Sequence, residues 1–213
     1  MLTTFECRSI LRQAQDERRK EYRANGIYKL IRHPASYRVL ASHLKQGGLI
    51  AYPTESCYGL GCDPRDPRAV RRILRLKQRA QHKGLILIAS DFQQVAPYLA
   101  PLTLAEQARL QADGAQAVTY LMPVRASCPR WMRGRHDTLA VRFTAHPLAR
   151  ALCRGTGSAL VSTSANRSGC HPAKTYAECR RLFGERVQVL RGRVGKRKQP
   201  STIRDWASGR VLR

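Results

Sequence analysis

From residue 34 onward, hydrophobic and polar positions alternate between two patterns. Short apolar runs bounded by glycine, proline or polar residues predict strands, at 49–52, 84–89, 117–122, 138–143, 158–163, 187–190, 201–205 and 210–213. Apolar residues three or four positions apart predict helices, which begin near Ser36, Asp66, Thr103, 147 and Thr175. Gly47 and Gly155 would end two of them. This order predicts an α/β fold with an open, partly parallel sheet covered by helices.

Two predicted turns are unusually rich in small and hydroxylated residues. They span 53–62 (PTESCYGLGC) and 163–169 (TSANRSG), each directly after a buried strand. Because ligands of open α/β sheets lie beyond the carboxyl ends of strands, we expect both turns to border a binding site. No standard phosphate-binding loop, dinucleotide fingerprint or hydrolase nucleophile motif occurs.

Residues 1–32 differ from the rest of the chain. They are polar and highly charged, with only a thin apolar stripe, which predicts a basic N-terminal extension that forms either a short exposed helix or a disordered leader. The predicted domain is then 33–213. No apolar run approaches the roughly 18 residues of a membrane span, and the N-terminus lacks a signal-peptide core, so we expect a cytoplasmic protein without membrane contact.

Charge is the extreme feature of the composition. The chain has 39 Lys and Arg residues against 14 Asp and Glu, a formal net charge of +25, with basic excess concentrated in 65–83 and 180–213. This predicts affinity for polyanions, either nucleotides, RNA or both, although a solvated basic surface would explain the total alone. The seven cysteines include no C-x-x-C pair, which favours reduced thiols over disulfides or a zinc site.

Four clusters hold the candidate chemistry: 53–61, 77–83, 162–169 and 200–205. Taken singly, each is adequately explained as a cap, a turn or a solvated helix end. Taken in order, they resemble the YrdC-type threonylcarbamoyl-AMP synthases over residues of about 36–213. The stretches that carry the likeness are AYPTESCYGLGCDP, LKQR followed by KGLILIA, RWMRGRHDTLAVRFTAHPL, LVSTSANRSG and PSTIRD.

This resemblance implies a twisted open sheet with a large basic concave cavity. It also implies synthesis of threonylcarbamoyl-AMP from L-threonine, bicarbonate and ATP, with release of pyrophosphate, for threonylcarbamoyladenosine modification of tRNA. Mg²⁺ would accompany ATP without a dedicated protein cage. The implied partners are tRNA or other RNA, bound weakly through charge, and downstream tRNA threonylcarbamoyl transferase proteins.

The resemblance also implies roles for single residues. The catalytic residues would be Lys77, Arg79, Ser164 and Asn166. Threonine would be bound by Thr54, Lys83, Arg142 and Ser162. ATP would be bound by Lys77, Arg79, Thr119, Ser164, Asn166 and Ser201.

Physical reasoning adds detail to these roles. Three anionic substrates repel one another, so a dense Lys/Arg lining is needed to bring them together. Lys77 and Arg79 are interpreted as exposed charges whose loss would leave the fold intact. Gly59 and Gly61 would let the backbone pass close to the ligand. His82 is the one candidate general base, although a solvated loop histidine explains it as well.

The sequence departs from the family at two places. Ala80 replaces the proline that usually follows the family's K-x-R motif, which is Lys77-Gln78-Arg79 in this chain. Residues 114–117 (GAQA) replace the usual Trp-Pro-Gly-Pro. Both changes are expected to loosen loops that frame ATP and to weaken turnover. They leave a second hypothesis open, an RNA-binding module on the same fold with weak or lost synthase activity.

Overall fold

The computed structural model describes residues 34–112 and 118–213, so the predicted N-terminal extension and the residues 114–117 lie outside the described chain. The described strands are β1 (Ile50–Pro53), β2 (Tyr58–Cys62), β3 (Ile86–Ala89), β4 (Val118–Pro123), β5 (Thr138–Phe143), β6 (Leu160–Ser164), β7 (Gln188–Val189) and β8 (Thr202–Asp205). The described helices are α1 (Pro34–Lys45), α2 (Pro67–Lys77), α3 (Leu104–Ala112), α4 (Arg130–Arg133), α5 (Pro147–Thr156) and α6 (Tyr176–Phe183), with 3₁₀ turns at Gln81–Lys83 and Phe92–Gln94.

All these strands join in one mixed sheet with the order β7-β1-β2-β6-β3-β5-β4-β8. Three neighbouring pairs are parallel, namely β1–β7, β3–β5 and β4–β8. The other four pairs are antiparallel. The predicted α/β fold with an open mixed sheet is therefore confirmed. Within the described residues, no helix has the length and apolar character needed to cross a bilayer.

Local capping chemistry sets several helix starts as predicted. The Asp66 carboxylate accepts hydrogen bonds from the first-turn amides of α2, and Pro67 follows it. Thr175 and Glu178 form a capping box at α6. Thr103 and Glu106 make the same reciprocal contacts at α3. These caps are specified by residues three positions apart, so they can be read directly from the sequence.

Other predicted boundaries are wrong. Helix α1 begins at Pro34, which places Ser36 inside the helix instead of at its cap. Helix α5 continues past Gly155 and ends at Gly157, whose left-handed φ of 65° suits glycine. Residues 210–213 form no strand, although they make an isolated bridge between Val211 and Arg204 and several backbone hydrogen bonds to β8.

The predicted turn 53–62 is in fact a short turn followed by strand β2. β2 pairs antiparallel to β1, with Tyr52 opposite Gly59. A Cβ atom on Gly61 would lie 2.8 Å from the Tyr52 ring and 2.9 Å from the Val161 carbonyl oxygen. Gly61 therefore makes room for a buried tyrosine, while its approach to a ligand stays a prediction.

The two faces of the sheet are covered unequally. One face packs under α2, α4 and α6 and contributes alternate residues, such as Leu87 and Val141, to the larger core. On the other face, α1 and α5 cover Ile50, Tyr52 and Ile88 in a second, smaller core. Farther along that face, alternate positions of β5 are only partly buried. The expectation of helices across both faces thus holds for one face and for part of the other.

A buried lysine joins helix α2 to the loop that follows β6. Lys77 is the last residue of α2 and is only 3% exposed. Its Nζ donates to the carbonyl oxygens of Ser164 (2.5 Å) and Asn166 (2.9 Å), and to Asn166 Oδ1 (3.0 Å). The same loop also donates to the helix, since the Ser168 amide forms a hydrogen bond with the Lys77 carbonyl oxygen (2.8 Å). The prediction that Lys77 is an exposed charge is therefore wrong.

Burial, and secondarily the neighbouring charge of Arg79, lower the pKa of Lys77 to about 8. The amine consequently remains mostly protonated at neutral pH and keeps three donors for its three acceptors.

We expect Lys77→Met to destabilise the protein by about 1–3 kcal/mol, because three buried acceptors would lose their donor. Lys45→Met is the matched control, since Lys45 also ends a helix but is exposed. Urea unfolding of both variants measures the difference in free energy. Equal stabilities would show that Lys77 does not hold the loop.

Candidate functional site

The uncovered half of the sheet face forms a cleft of about 530 Å³. Strands β3, β4, β5, β6 and β8 provide its floor, and the turn after β1 and the loop after α2 provide its walls. Among the described residues, its lining contains seven basic side chains and no Asp or Glu. The basic residues are Arg79, Lys83, Arg133, Arg142, Lys174, Lys198 and Arg213. A concave surface with this charge attracts anionic ligands.

The cleft brings most of the predicted site residues together. The seven that line it are Thr54, Arg79, Lys83, Arg142, Ser162, Ser164 and Ser201. Three others, Lys77, Thr119 and Asn166, lie outside the lining. The predicted site is thus divided between residues that face the cleft and residues that support its wall.

The Thr54 and Ser162 side chains flank Gly59 at one end of the cleft. The Thr54 amide and hydroxyl both donate to the Cys57 carbonyl oxygen, at 2.9 and 2.8 Å, which closes the turn after β1. A Cβ atom on Gly59 would lie 3.3 Å from Thr54 Cγ2 and 3.4 Å from Ser162 Oγ. Any larger residue at Gly59 would therefore crowd the Thr54 methyl group and the Ser162 hydroxyl, and glycine keeps this end of the cleft open.

Arg142 projects from β5 toward the same end. Its guanidinium Nη2 lies 3.5 Å from Glu55 Oε2, and both side chains are almost buried. The Arg142 Nε is buried without a hydrogen-bond partner among the described residues. Arg142 thus has donor capacity that the described protein leaves unused.

Glu55 is held by several groups besides Arg142. Its Oε1 accepts hydrogen bonds from the Thr144 hydroxyl (2.8 Å) and from the amides of Ala145 (2.9 Å) and His146 (3.2 Å). Burial alone would raise the pKa of Glu55, but Arg142 and these hydrogen bonds outweigh it and lower the pKa below its usual range. Glu55 is therefore ionised at neutral pH.

Arg79 lies in the loop after α2, at the opposite side of the cleft wall. Its Nη2 donates to the Gly84 carbonyl oxygen (3.1 Å) and more weakly to that of Lys83 (3.4 Å). Burial lowers the pKa of Arg79, and its Nε is buried without a partner among the described residues. Arg79 is partly buried and no described carboxylate forms an ion pair with it, so an anionic ligand would offset its partly desolvated charge.

Asn166 supports the cleft wall from behind. Its Oδ1 accepts from the Ser164 hydroxyl (2.6 Å) as well as from Lys77, and its Nδ2 donates to the Cys170 carbonyl oxygen (2.7 Å). Both the oxygen and the nitrogen of the Asn166 side-chain amide therefore form hydrogen bonds within the protein. The Ser164 side chain, at the end of β6, lines the cleft in front of it.

A hydroxyl pair lies near the start of β8. Thr119 is fully buried, and its hydroxyl donates to Ser201 Oγ (2.8 Å). Ser201 lines the cleft, and its carbonyl oxygen accepts from Arg213. Thr119 therefore orients Ser201 from the floor of the sheet.

Sequence reasoning missed several residues of this site. Glu55 received no role, although an acid directly after a buried strand was a usable signal. Arg133, His136, Lys174 and Lys198 also line the cleft, and nothing local in the sequence distinguishes them from the many other basic residues. His82, the candidate base, is exposed and is not part of the lining.

The described residues include no group of three or more His, Cys, Asp or Glu side chains that could hold a metal ion. The cleft wall offers hydroxyls and cations, which are poor partners for a hard divalent cation that prefers carboxylate oxygens. These residues therefore do not fit a protein-held Mg²⁺.

The chain matches known proteins along most of its length. The family model Sua5_yciO_yrdC, described as telomere recombination, matches residues 42–213. A threonylcarbamoyl-AMP synthase of Thiobacillus denitrificans is 52% identical over 174 residues, which cover 82% of this chain and 93% of the relative. A protein of the same name from Methylobacillus flagellatus is 53% identical over 176 residues, covering 83% of this chain and 98% of the relative.

Solved structures agree with these matches. P. abyssi Sua5 in complex with L-threonine has a TM-score of 0.76 and 27% identity over 85% of this chain. This chain spans 54% of the length of that protein. E. coli YciO, at 24% identity, shares the fold, with a TM-score of 0.71 over 85% of this chain and 89% of its own. On the strength of the model that matches residues 42–213, and of relatives more than half identical, the chain belongs to the Sua5/YciO/YrdC family.

Proposed function

We propose that this protein is a threonylcarbamoyl-AMP synthase. The observation that carries the proposal is a cleft lined by seven cations and no described acid, with the Thr54 and Ser162 side chains at one end and the Thr119–Ser201 hydroxyl pair at the other. Relatives that are more than half identical over most of the chain bear this name. The reaction joins L-threonine, bicarbonate and ATP, and it yields threonylcarbamoyl-AMP, pyrophosphate and water.

The end of the cleft around Gly59 suits an amino acid. Arg142 lines the cleft and has Glu55 as its one described ion-pair partner, and a planar guanidinium can bind both oxygens of a carboxylate at once. Thr54 and Ser162 flank the space beside it and offer hydroxyl oxygens to the amine and hydroxyl of threonine. Lys83 adds positive charge to the cleft lining. The P. abyssi relative was crystallised with L-threonine, which supports this assignment.

The nucleotide would extend from this end toward Ser201. Arg79 supplies a partly buried cation that no described carboxylate neutralises, and Ser164 and Ser201 supply hydroxyls along the path. Lys77, Asn166 and Thr119 would act by holding these groups in place. Because the described residues offer no metal cage, any Mg²⁺ that accompanies ATP would be coordinated by phosphate oxygens and water.

The chemistry requires positioning and charge stabilisation more than covalent participation by the protein. The threonine amine adds to the carbon of bicarbonate and forms a carbamate with loss of water. A carbamate oxygen then attacks the α-phosphorus in line, and pyrophosphate leaves. Arg79 and Arg142 lower the repulsion between the anions that must meet. The product is an activated acyl-phosphate, and the proposed acceptor is a tRNA adenosine modified by separate transferase proteins.

Arg79→Ala should reduce the rate of pyrophosphate release by about 100-fold, because a preorganised cation next to the developing charge is lost. Stability should change little, since Arg79 makes only two carbonyl contacts. The assay contains ATP and bicarbonate, with and without L-threonine.

Arg75→Ala is the control for Arg79→Ala, because Arg75 is an exposed arginine of the preceding helix α2 that lies outside the cleft lining. If both variants lost activity to the same extent, Arg79 would have no special place in the reaction.

Arg142→Gln should weaken threonine binding about ten- to a hundredfold, the range expected when one charge-assisted carboxylate pair is removed. ATP affinity should stay within about twofold of the parent. Calorimetric titration with each substrate separates the two effects. A parallel loss of both affinities would argue for a general collapse of the cleft.

Weak RNA binding is a further property that the charge supports. With a formal net charge of +25, the protein should bind tRNA at low salt with little sequence preference and lose most of that affinity near physiological salt. Removing residues 1–32, which carry eight basic and four acidic residues, lowers the charge only to +21.

Filter binding across a salt series, with and without residues 1–32, tests this expectation. The shortened chain should keep most of its RNA affinity and all of its synthase activity. Tight binding that resists salt and disappears with residues 1–32 would instead favour a dedicated RNA-binding role.

A further inference from the structure

Glu55 lies directly behind the proposed threonine site without lining it. It follows Thr54 in the turn after β1, and its side chain is 12% exposed. The cleft lining includes its neighbours Thr54 and Ser56 but not Glu55 itself. The carboxylate therefore acts on groups inside the wall and does not face the open cleft.

The two carboxylate oxygens contact different partners. Oε1 accepts the three hydrogen bonds from Thr144, Ala145 and His146, which fix its place next to the start of α5. Oε2 has no hydrogen-bond partner among the described residues and faces Arg142 Nη2 at 3.5 Å. One oxygen anchors the carboxylate, and the other is directed at the arginine.

The backbone around Glu55 is held as firmly as its side chain. The Gly195 amide donates to the Thr54 carbonyl oxygen (2.8 Å), and the Arg197 amide donates to the Glu55 carbonyl oxygen (3.1 Å). A Cβ atom on Gly195 would lie 2.7 Å from that same Glu55 oxygen, so the two segments pack in direct contact. The position of the Glu55 carboxylate is thus fixed, so it can orient the longer and more flexible side chain of Arg142.

Few other described groups orient the Arg142 side chain. It stands on a strand whose neighbouring residues Val141 and Phe143 are buried apolar side chains of the opposite face. Within the described chain, its only ion pair is with Glu55. A guanidinium that is already oriented loses less rotamer entropy when it binds a ligand, which raises affinity without any new contact.

We propose that Glu55 is a positioning residue, which fixes the Arg142 guanidinium so that its free donors face the carboxylate of the amino-acid substrate. This inference rests on the proposed function, because it assigns the substrate carboxylate to Arg142. Glu55 itself touches neither substrate nor any reacting atom.

Charge and positioning make opposite predictions for Glu55. If only charge mattered, removing a negative group next to Arg142 would strengthen the binding of threonine carboxylate. If Glu55 positions Arg142, Glu55→Gln should weaken threonine binding by about tenfold. ATP affinity should stay within about twofold in either case. The sign of the change in threonine affinity therefore separates the two explanations.

A double-mutant cycle tests whether Glu55 acts through Arg142. Threonine dissociation constants are measured by calorimetry for the full-length parent, Glu55→Gln, Arg142→Gln and the double variant. We expect Glu55→Gln to weaken threonine binding in the parent and to change it less than about twofold when Arg142 is already replaced. Additive losses, or stronger threonine binding by Glu55→Gln, would overturn the inference.

Two further variants separate a specific loss of threonine affinity from a general loss of protein stability. Thr144→Val removes a donor to the anchored Oε1 and should lower stability in urea while threonine affinity falls less than about threefold. Glu55→Asp keeps the charge but shortens the side chain, so it should weaken threonine binding even if Glu55→Gln fails to fold. Parent-like affinity in Glu55→Asp would contradict positioning.

The threonine affinity of the single variant Arg142→Gln separates two claims, that Arg142 binds the threonine carboxylate and that Glu55 positions Arg142. Unchanged threonine affinity in that variant would overturn both the threonine assignment of Arg142 and the role of Glu55. Weakened affinity in Arg142→Gln together with parent-like affinity in Glu55→Gln would overturn the role of Glu55 only.

Discussion

Positive charge held on an open sheet face is the constraint on which the rest of this structure depends. Seven cations share one cleft without a described acid in its lining. Long basic side chains in such a place would turn toward bulk water unless something retained them. Oxygen atoms inside the wall do this, namely carbonyl groups behind Arg79 and the Glu55 carboxylate behind Arg142. Arg79 and Arg142 are therefore each backed by oxygen atoms of the cleft wall.

The two cations of the K-x-R motif, Lys77 and Arg79, point in different directions. Gln78, between Lys77 and Arg79, has a left-handed φ of 51° and ends helix α2. This conformation reverses the local direction of the chain. Lys77 consequently points into the protein and binds the loop after β6, whereas Arg79 points into the cleft. One cation builds the wall, and the other is available to a ligand.

Local signals in the sequence predicted the elements that depend on local physics. Apolar runs and capping residues act within a few positions, so β1, β3 and the caps at Asp66 and Thr175 could be predicted. The burial of Lys77 could not be, because its acceptors lie 87 to 89 positions away. The packing role of Gly61 could not be predicted either, since it is the ring of Tyr52 on the neighbouring strand that requires glycine there.

Family resemblance identified which residues gather at the cleft but not how each one is oriented. Thr54, Arg79, Arg142, Ser162, Ser164 and Ser201 all line it as that resemblance implies. Whether a predicted residue faces the ligand or supports the wall depends on packing, and residue type alone does not encode it. Lys77 and Asn166 are the examples, because both use their polar atoms within the protein.

The departure at Ala80 shows where the geometry of the Arg79 loop comes from. Ala80 has φ −65°, which is the value that a proline ring would impose. The folded loop thus keeps its form without the ring, and the substitution acts mainly on the entropy of the unfolded chain, by about 0.4–1 kcal/mol. The expectation that this change loosens the folded loop is therefore not supported at Ala80.

Packing against a second loop supplies the missing restraint. The Leu85 amide donates to the Met132 carbonyl oxygen (2.9 Å), and the Arg135 amide donates to that of His82 (3.3 Å). A Cβ atom on Gly134 would lie 2.3 Å from the His82 carbonyl oxygen, so only glycine permits this close approach. Backbone contact between the two loops, and not a proline ring, holds Arg79 and Lys83 at the cleft. The stretch RWMRGRHD therefore serves the site through its glycine as much as through its charges.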